Sequence, residues 1–165
     1  RIESVVFAQD GTVQRPLLND EPARVSGGFL RRAIAKDKAR ESEKYMKELQ
    51  SKLDQYTLPT PGKLLDFLAK AQVQPVTTAA GSTQLQVTGN NVLVQGDTFT
   101  MTVDGRTFLP IGVQITTIVE GDTVTATVTY RSLDKGPNHA QYITVQSPAK
   151  NMTVNIHNYD YTASN

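Results

Sequence analysis

From residue 83 onward apolar side chains recur at every second position, and that period limits the region to extended strands with one face in a core. Leu85 and Val87 alternate with Gln84 and Gln86, and Val92 and Val94 follow Gly89-Asn90. Phe99, Met101 and Val103 alternate with threonines, as do Val124, Ala126, Val128 and Tyr130. Val113, Ile115 and Val119 supply another run, Ile143 and Val145 one more, and Met152, Val154 and Ile156 the last. Turn dipeptides punctuate the series at Asp104-Gly105, at Glu120-Gly121-Asp122, at Gly136-Pro137 and at Ser147-Pro148. About eight short strands in this spacing predict an antiparallel, hairpin-rich β domain over 83–161, sandwich or barrel-like. Its wet face carries threonine and glutamine rather than charge. Threonine suits that place because its branched Cβ favours strands while its hydroxyl stays solvated.

Before residue 83 the pattern changes. Residues 29–55 contain no Gly, Pro, Val or Thr and are rich in Ala, Lys, Arg, Glu and Leu, which predicts one long helix. Glu43–Lys47 and Glu48–Lys52 are i,i+4 pairs in the favourable order. Met46, Leu49, Leu53 and Tyr56 form one apolar stripe, and Phe29, Leu30 and Ile34 a shorter one near the start. Between the stripes, residues 37–44 offer only Ala39 as an apolar contact, so each end of the helix is expected to dock while its middle stays wet. Thr60-Pro61 suits the start of a second helix, in which Leu64, Leu65, Phe67, Leu68 and Ala71 would bury one face. Pro75 reads as its end and 77–82 as a linker. The chain therefore divides into an extended arm, 1–28, a helical segment, 29–72, and the β domain, an α+β order overall. Beginning on Arg1, it reads as processed or incomplete. Val5 to Ala8 suits either the tail of a signal peptide or a strand of a small hairpin turning at Asp10-Gly11.

Charge separates the same parts. The total is +1, yet residues 24–70 hold eleven basic and six acidic side chains, while 71–165 hold four and six. A basic patch of Arg31, Arg32, Lys36, Lys38 and Arg40 lies beside the first stripe. Such a segment can meet an acidic protein, nucleic acid or an anionic membrane. Asp37, Glu41 and Glu43 dilute it, which favours other protein subunits or a merely solvated helix over the other two. No apolar run is long enough for a transmembrane helix.

The catalytic inventory is thin. With no cysteine in the sequence, disulfides, thiolate chemistry and cysteine zinc sites are excluded. No phosphate-cradling glycine loop and no nucleophile elbow is present. His139 and His157 have no short-spaced partners that would make a metal site. Asp97, Asp104, Asp122 and Asp134 fall in turns, where aspartate is needed structurally, and lack the close spacing of a calcium loop. No cofactor, metal or catalytic residue is implied. Tyr142, His157, Tyr159 and Tyr161 gather near the C-terminal strands, and aromatic groups beside amides can hold sugars or peptides. Asn151-Met152-Thr153 matches a glycosylation sequon.

Three functions fit this inventory. The expectation is a non-enzymatic structural or interaction protein whose helical arm docks a β module into a multi-subunit assembly, using Phe29, Leu30, Ile34, Met46, Leu49 and Leu53. An extracytoplasmic ligand- or glycan-binding module is the alternative, followed by a helix-plus-curved-sheet enzyme with an enclosed pocket. The compartment stays open, with an extracytoplasmic or virion-like setting favoured.

Overall fold

The computed structural model describes residues 2–3, 6–7, 13–14, 17–19, 29–57, 61–133 and 138–159, with side chains described for 40–56, 62–133 and 138–159. The chain separates into two compact units, Arg1–Lys47 and Glu48–Asn165. In the first, β1 (Ile2–Glu3) pairs with β4 (Leu17–Asn19), and β2 (Val6–Phe7) pairs with β3 (Val13–Gln14). Val6 and Phe7 are thus a strand of the small hairpin. The helix α1 (Phe29–Thr57) begins in the first unit and ends in the second. The second unit continues with α2 (Pro61–Leu68), whose first residue is the proline expected there.

Seven strands follow: β5 (Gln72–Thr77), β6 (Thr83–Asn90), β7 (Thr98–Asp104), β8 (Pro110–Val119), β9 (Asp122–Ser132), β10 (Asn138–Ser147) and β11 (Met152–His157). They form one antiparallel sheet in chain order, each strand beside its sequence neighbour. The α+β class and the hairpin-rich antiparallel part are as expected. The strands make one continuous sheet with β5 and β11 at its two ends. Leu49 and Tyr56, on the last turns of α1, are buried, and Tyr56 contacts β7 and β8.

The register turns the period of two into continuous rows. Val73, Val87, Met101, Val113, Val128, Ile143 and Ile156 stand side by side across all seven strands. The neighbouring row on the opposite face is Gln72, Thr88, Thr100, Gln114, Thr127, Thr144 and Asn155, polar throughout and without a charge. Such cross-strand neighbours are the unit of sheet stabilisation.

Three local expectations fail for identifiable reasons. Pro75 lies within a strand, because β5 is an edge and the missing N–H costs nothing on the open side. Val92 and Val94 belong to the β6–β7 loop, since the Asp97 carboxylate takes the amides that a ladder would have used. The apolar face of α2 is not buried. Leu65 is 67% exposed, and Leu64 and Leu68 are also exposed. Phe67 reaches the sheet, meeting Phe99 edge-on at 5.0 Å. Gly89 permits that approach, because a Cβ there would collide with the Phe67 ring.

Candidate functional site

Two constellations stand out in the second unit, one buried and one exposed. The buried one centres on Asp97, which is 1% exposed and sits at the end of the β6–β7 loop. Its carboxylate accepts hydrogen bonds from the amides of Val92 (2.5 Å), Leu93 (2.8 Å) and Val94 (3.0 Å) and from the Tyr56 hydroxyl (2.5 Å). The Tyr56 oxygen also lies 2.8 Å from Thr117 Oγ1 on β8. Thr117 is a polar side chain in an otherwise apolar inward row, so this contact explains its burial. Asn91, in a left-handed conformation, closes the loop through Gly96 N to its own Oδ1. The end of α1 is thereby tied to β7, β8 and one loop at once.

Electrostatics agree with that geometry. Burial pushes the Asp97 carboxyl upward, but the Tyr56 hydroxyl and the amides of Val94, Leu93 and Val92 more than offset it and hold the group below the usual carboxylate range. Burial, reinforced by the hydrogen bond to Asp97, pushes the Tyr56 phenol well above its ordinary value. A cleft of about 330 Å³ opens beside the pair, lined by Phe67, Phe99, Val92, Leu93, Lys63 and Lys70 among others. Tyr56 and Asp97 are the inward Tyr and Asp that a pocket enzyme would present. Four donors hold the carboxylate, three of them on Oδ2, so it is organised as a clasp between α1 and the loop.

The exposed constellation lies where β10 and β11 pair. Tyr142 stands directly opposite His157, and their rings stack at 4.4 Å with an 18° interplanar angle. The Tyr159 ring is tilted against the other side of the group, 5.8 Å from His157. Tyr142 is 48% exposed and Tyr159 58%. The stack continues the row Gln74, Gln86, Thr102, Gly112 and Thr129 on the wet face. Thr144 donates to Asn155 beside it at 3.0 Å. The structure thus brings together three of the four residues expected of a ligand face. The fourth, Tyr161, lies outside the described residues.

The remaining sequence candidates are placed as follows. Leu49 is 2% exposed, so that part of the expected docking stripe is covered within the chain; Leu53 is half-buried and Met46 is exposed. Phe29, Leu30, Ile34, Arg31, Arg32, Lys36 and Lys38 all lie on α1, with side chains outside the described residues. Arg40 is exposed. His139 is buried on β10 opposite Arg131, because β10 begins at Asn138, inside what reads as a loop. Asp104 caps its turn through Arg106 N, Thr107 N and Thr107 Oγ1. Asp122 pairs with Lys150 at 3.3 Å, and Asp134 lies outside the described residues. No group of three or more potential metal ligands occurs among the described residues. No helix among them is long and apolar enough to cross a membrane.

Sequence reasoning missed Tyr56 and Thr117 as a polar pair. One signal was available: Thr117 interrupts the apolar positions Val113, Ile115 and Val119, and an inward threonine needs a partner. No protein-family model, curated protein or solved structure matches the chain.

Proposed function

We propose that this protein is a non-enzymatic interaction module, in which the β unit is a rigid body and the helical arm docks it onto another protein subunit. One observation carries the reading: the chain divides between Lys47 and Glu48, part-way along α1. The anchoring of α1 by Leu49, Tyr56 and the Asp97 clasp belongs to the β unit. Residues 1–47, with the basic patch and the stripe of Phe29, Leu30 and Ile34, make up a unit of their own. A helix with so thin an apolar face gains most of its stability from what it packs against.

Cross-linking mass spectrometry on native material, with hydrogen exchange on the purified full chain, tests this. Lysines 36 and 38 should link to a second polypeptide, and amides of 29–47 should exchange faster in the isolated chain than those of β7 to β10. Links confined to one chain, with 29–47 protected as strongly as the central strands, would sink the docking role.

A second reading is favoured by the Tyr142–His157–Tyr159 stack: binding of a neutral glycan. Exposed rings offer flat apolar faces to sugar C–H groups, and the surrounding Thr, Gln and Asn side chains donate and accept without charge. In affinity electrophoresis against neutral polysaccharides, Tyr142→Ala or Tyr159→Ala should weaken retardation about tenfold, or ~1.4 kcal/mol. Equal mobility of the wild type with and without every polysaccharide would remove this reading.

A further inference from the structure

The two ends of the sheet are not alike. At one end β5 reads Gln-Val-Gln-Pro-Val-Thr, and its Pro75 has no N–H to offer an incoming strand. Proline on an edge is one of the devices by which sheets avoid adding strands. At the other end β11 reads Met-Thr-Val-Asn-Ile-His, with no proline, no glycine and no lysine, arginine or acid. Among the described residues its only strand partner is β10. Ile156 on its inner face is 40% exposed. An open, uncharged edge of alternating pattern is a template for another strand.

We infer that β11 is the pairing edge of this protein and that its partner is β11 of a second copy of the same chain. The strand is self-complementary under the two-fold axis that an isologous dimer requires. Met152, Val154 and Ile156 continue the inner rows through Ser147, Val145 and Ile143, while Thr153, Asn155 and His157 face the wet side. Antiparallel pairing centred on Val154 sets Met152 against Ile156 of the second copy, and Thr153 against its Asn155. Centring on Asn155 sets Val154 against Ile156 of the second copy, and Thr153 against its His157. Either register keeps apolar opposite apolar and polar opposite polar, so the rows run through both copies without a break in pattern. A shift by one residue would oppose the two faces and is excluded by the same pleat. No like charges meet in either register, because β11 carries none. The pairing invokes no residue of 1–47, so this interface and arm docking stand or fall separately.

The chain has no cysteine, so one introduced thiol reports on one contact. Val154→Cys and Asn155→Cys each place it at one of the two possible centres. Thr127→Cys, exposed on the interior strand β9, is the control. Under mild oxidation of dilute full-length protein, one of the β11 variants should form a disulfide-linked dimer far faster than the control, because pairing raises the local thiol concentration. Light scattering should show a two-chain mass for the wild type and for Gln74→Lys on β5, and a one-chain mass for Asn155→Lys. Circular dichroism of Asn155→Lys should match the wild type, since the substitution lies at an exposed edge. A wild-type chain that scatters as a monomer at every soluble concentration overturns the proposal. So would cross-linking at 154 and 155 no faster than at 127, or a dimer unaffected by Asn155→Lys.

Discussion

Asp97→Ala is expected to destabilise the β unit by roughly 3–5 kcal/mol, a large part of the stability of an ordinary domain. The substitution removes an acceptor from four donors at once, the amides of Val92, Leu93 and Val94 and the hydroxyl of Tyr56. Each donor left unsatisfied in a buried site costs about 1–3 kcal/mol, more when its partner was charged. Part of this is recovered where the loop opens to water, since the three amides are only partly buried. Tyr56→Phe should cost less, about 1–2 kcal/mol, because the carboxylate keeps its three amides. A double-mutant cycle separates the two contributions: with Asp97 absent, loss of the Tyr56 hydroxyl should cost less than in the wild type, since only its contact with Thr117 remains. Urea unfolding followed by far-ultraviolet circular dichroism measures all of this. If Asp97→Ala lowers stability by less than about 1 kcal/mol, the clasp is not what holds α1 to the sheet.

Stability should be flat across a broad middle range of pH and fall on both sides, with Asp97 contributing to the acid limb and Tyr56 to the alkaline one. The Asp97 value in the folded state is depressed. Its stabilising contribution is therefore complete above the ordinary carboxylate value of about 4 and is lost as pH falls through the folded value. Asp104, held low mainly by the Thr107 amide, shares this acid limb. The Tyr56 value is raised. Its contribution is complete below the ordinary phenol value of about 10 and declines as pH climbs from there toward the folded value. Asp97→Asn should shrink the acid limb without abolishing it, because Asp104 remains. Tyr56→Phe should flatten the alkaline limb. Urea midpoints at closely spaced pH values decide the matter. Superimposable alkaline profiles for wild type and Tyr56→Phe would show that the phenol gains nothing from its burial.

Much of the fold was legible because it follows from short-range periodicity. Alternation in Thr98–Asp104 and Asp122–Ser132 marks strands whichever neighbours they acquire. The long helix follows from composition, and the start of α2 from Thr60-Pro61. What could not be read depends on partners distant in sequence. Pro75 ends a helix or sits in an edge strand according to what lies beside it. The Val92–Val94 segment has the composition of a strand, and a carboxylate three to five residues away diverts its amides. The leucines of α2 have the spacing of a buried face, yet they are exposed while Phe67 meets the sheet. The exposed site was partly visible, since Tyr142, His157 and Tyr159 recur near one end of the chain. Their stacking needed the β10–β11 register, which puts Tyr142 opposite His157.

The amino-acid sequence by itself determined the α+β order, the positions of most strands, the uncharged character of the wet face and the division of charge between helix and sheet. These are properties of single residues and of neighbours a few positions apart, which local sterics and solvation settle. Only the tertiary structure decided that the strands form one meander in chain order, that Tyr56, Asp97 and Thr117 close into a clasp, and that β11 is the last strand of the sheet. Those outcomes join residues 41 and 61 positions apart or depend on which strand lies last. Such contacts exist only once the chain has paid the entropy of bringing its distant parts together.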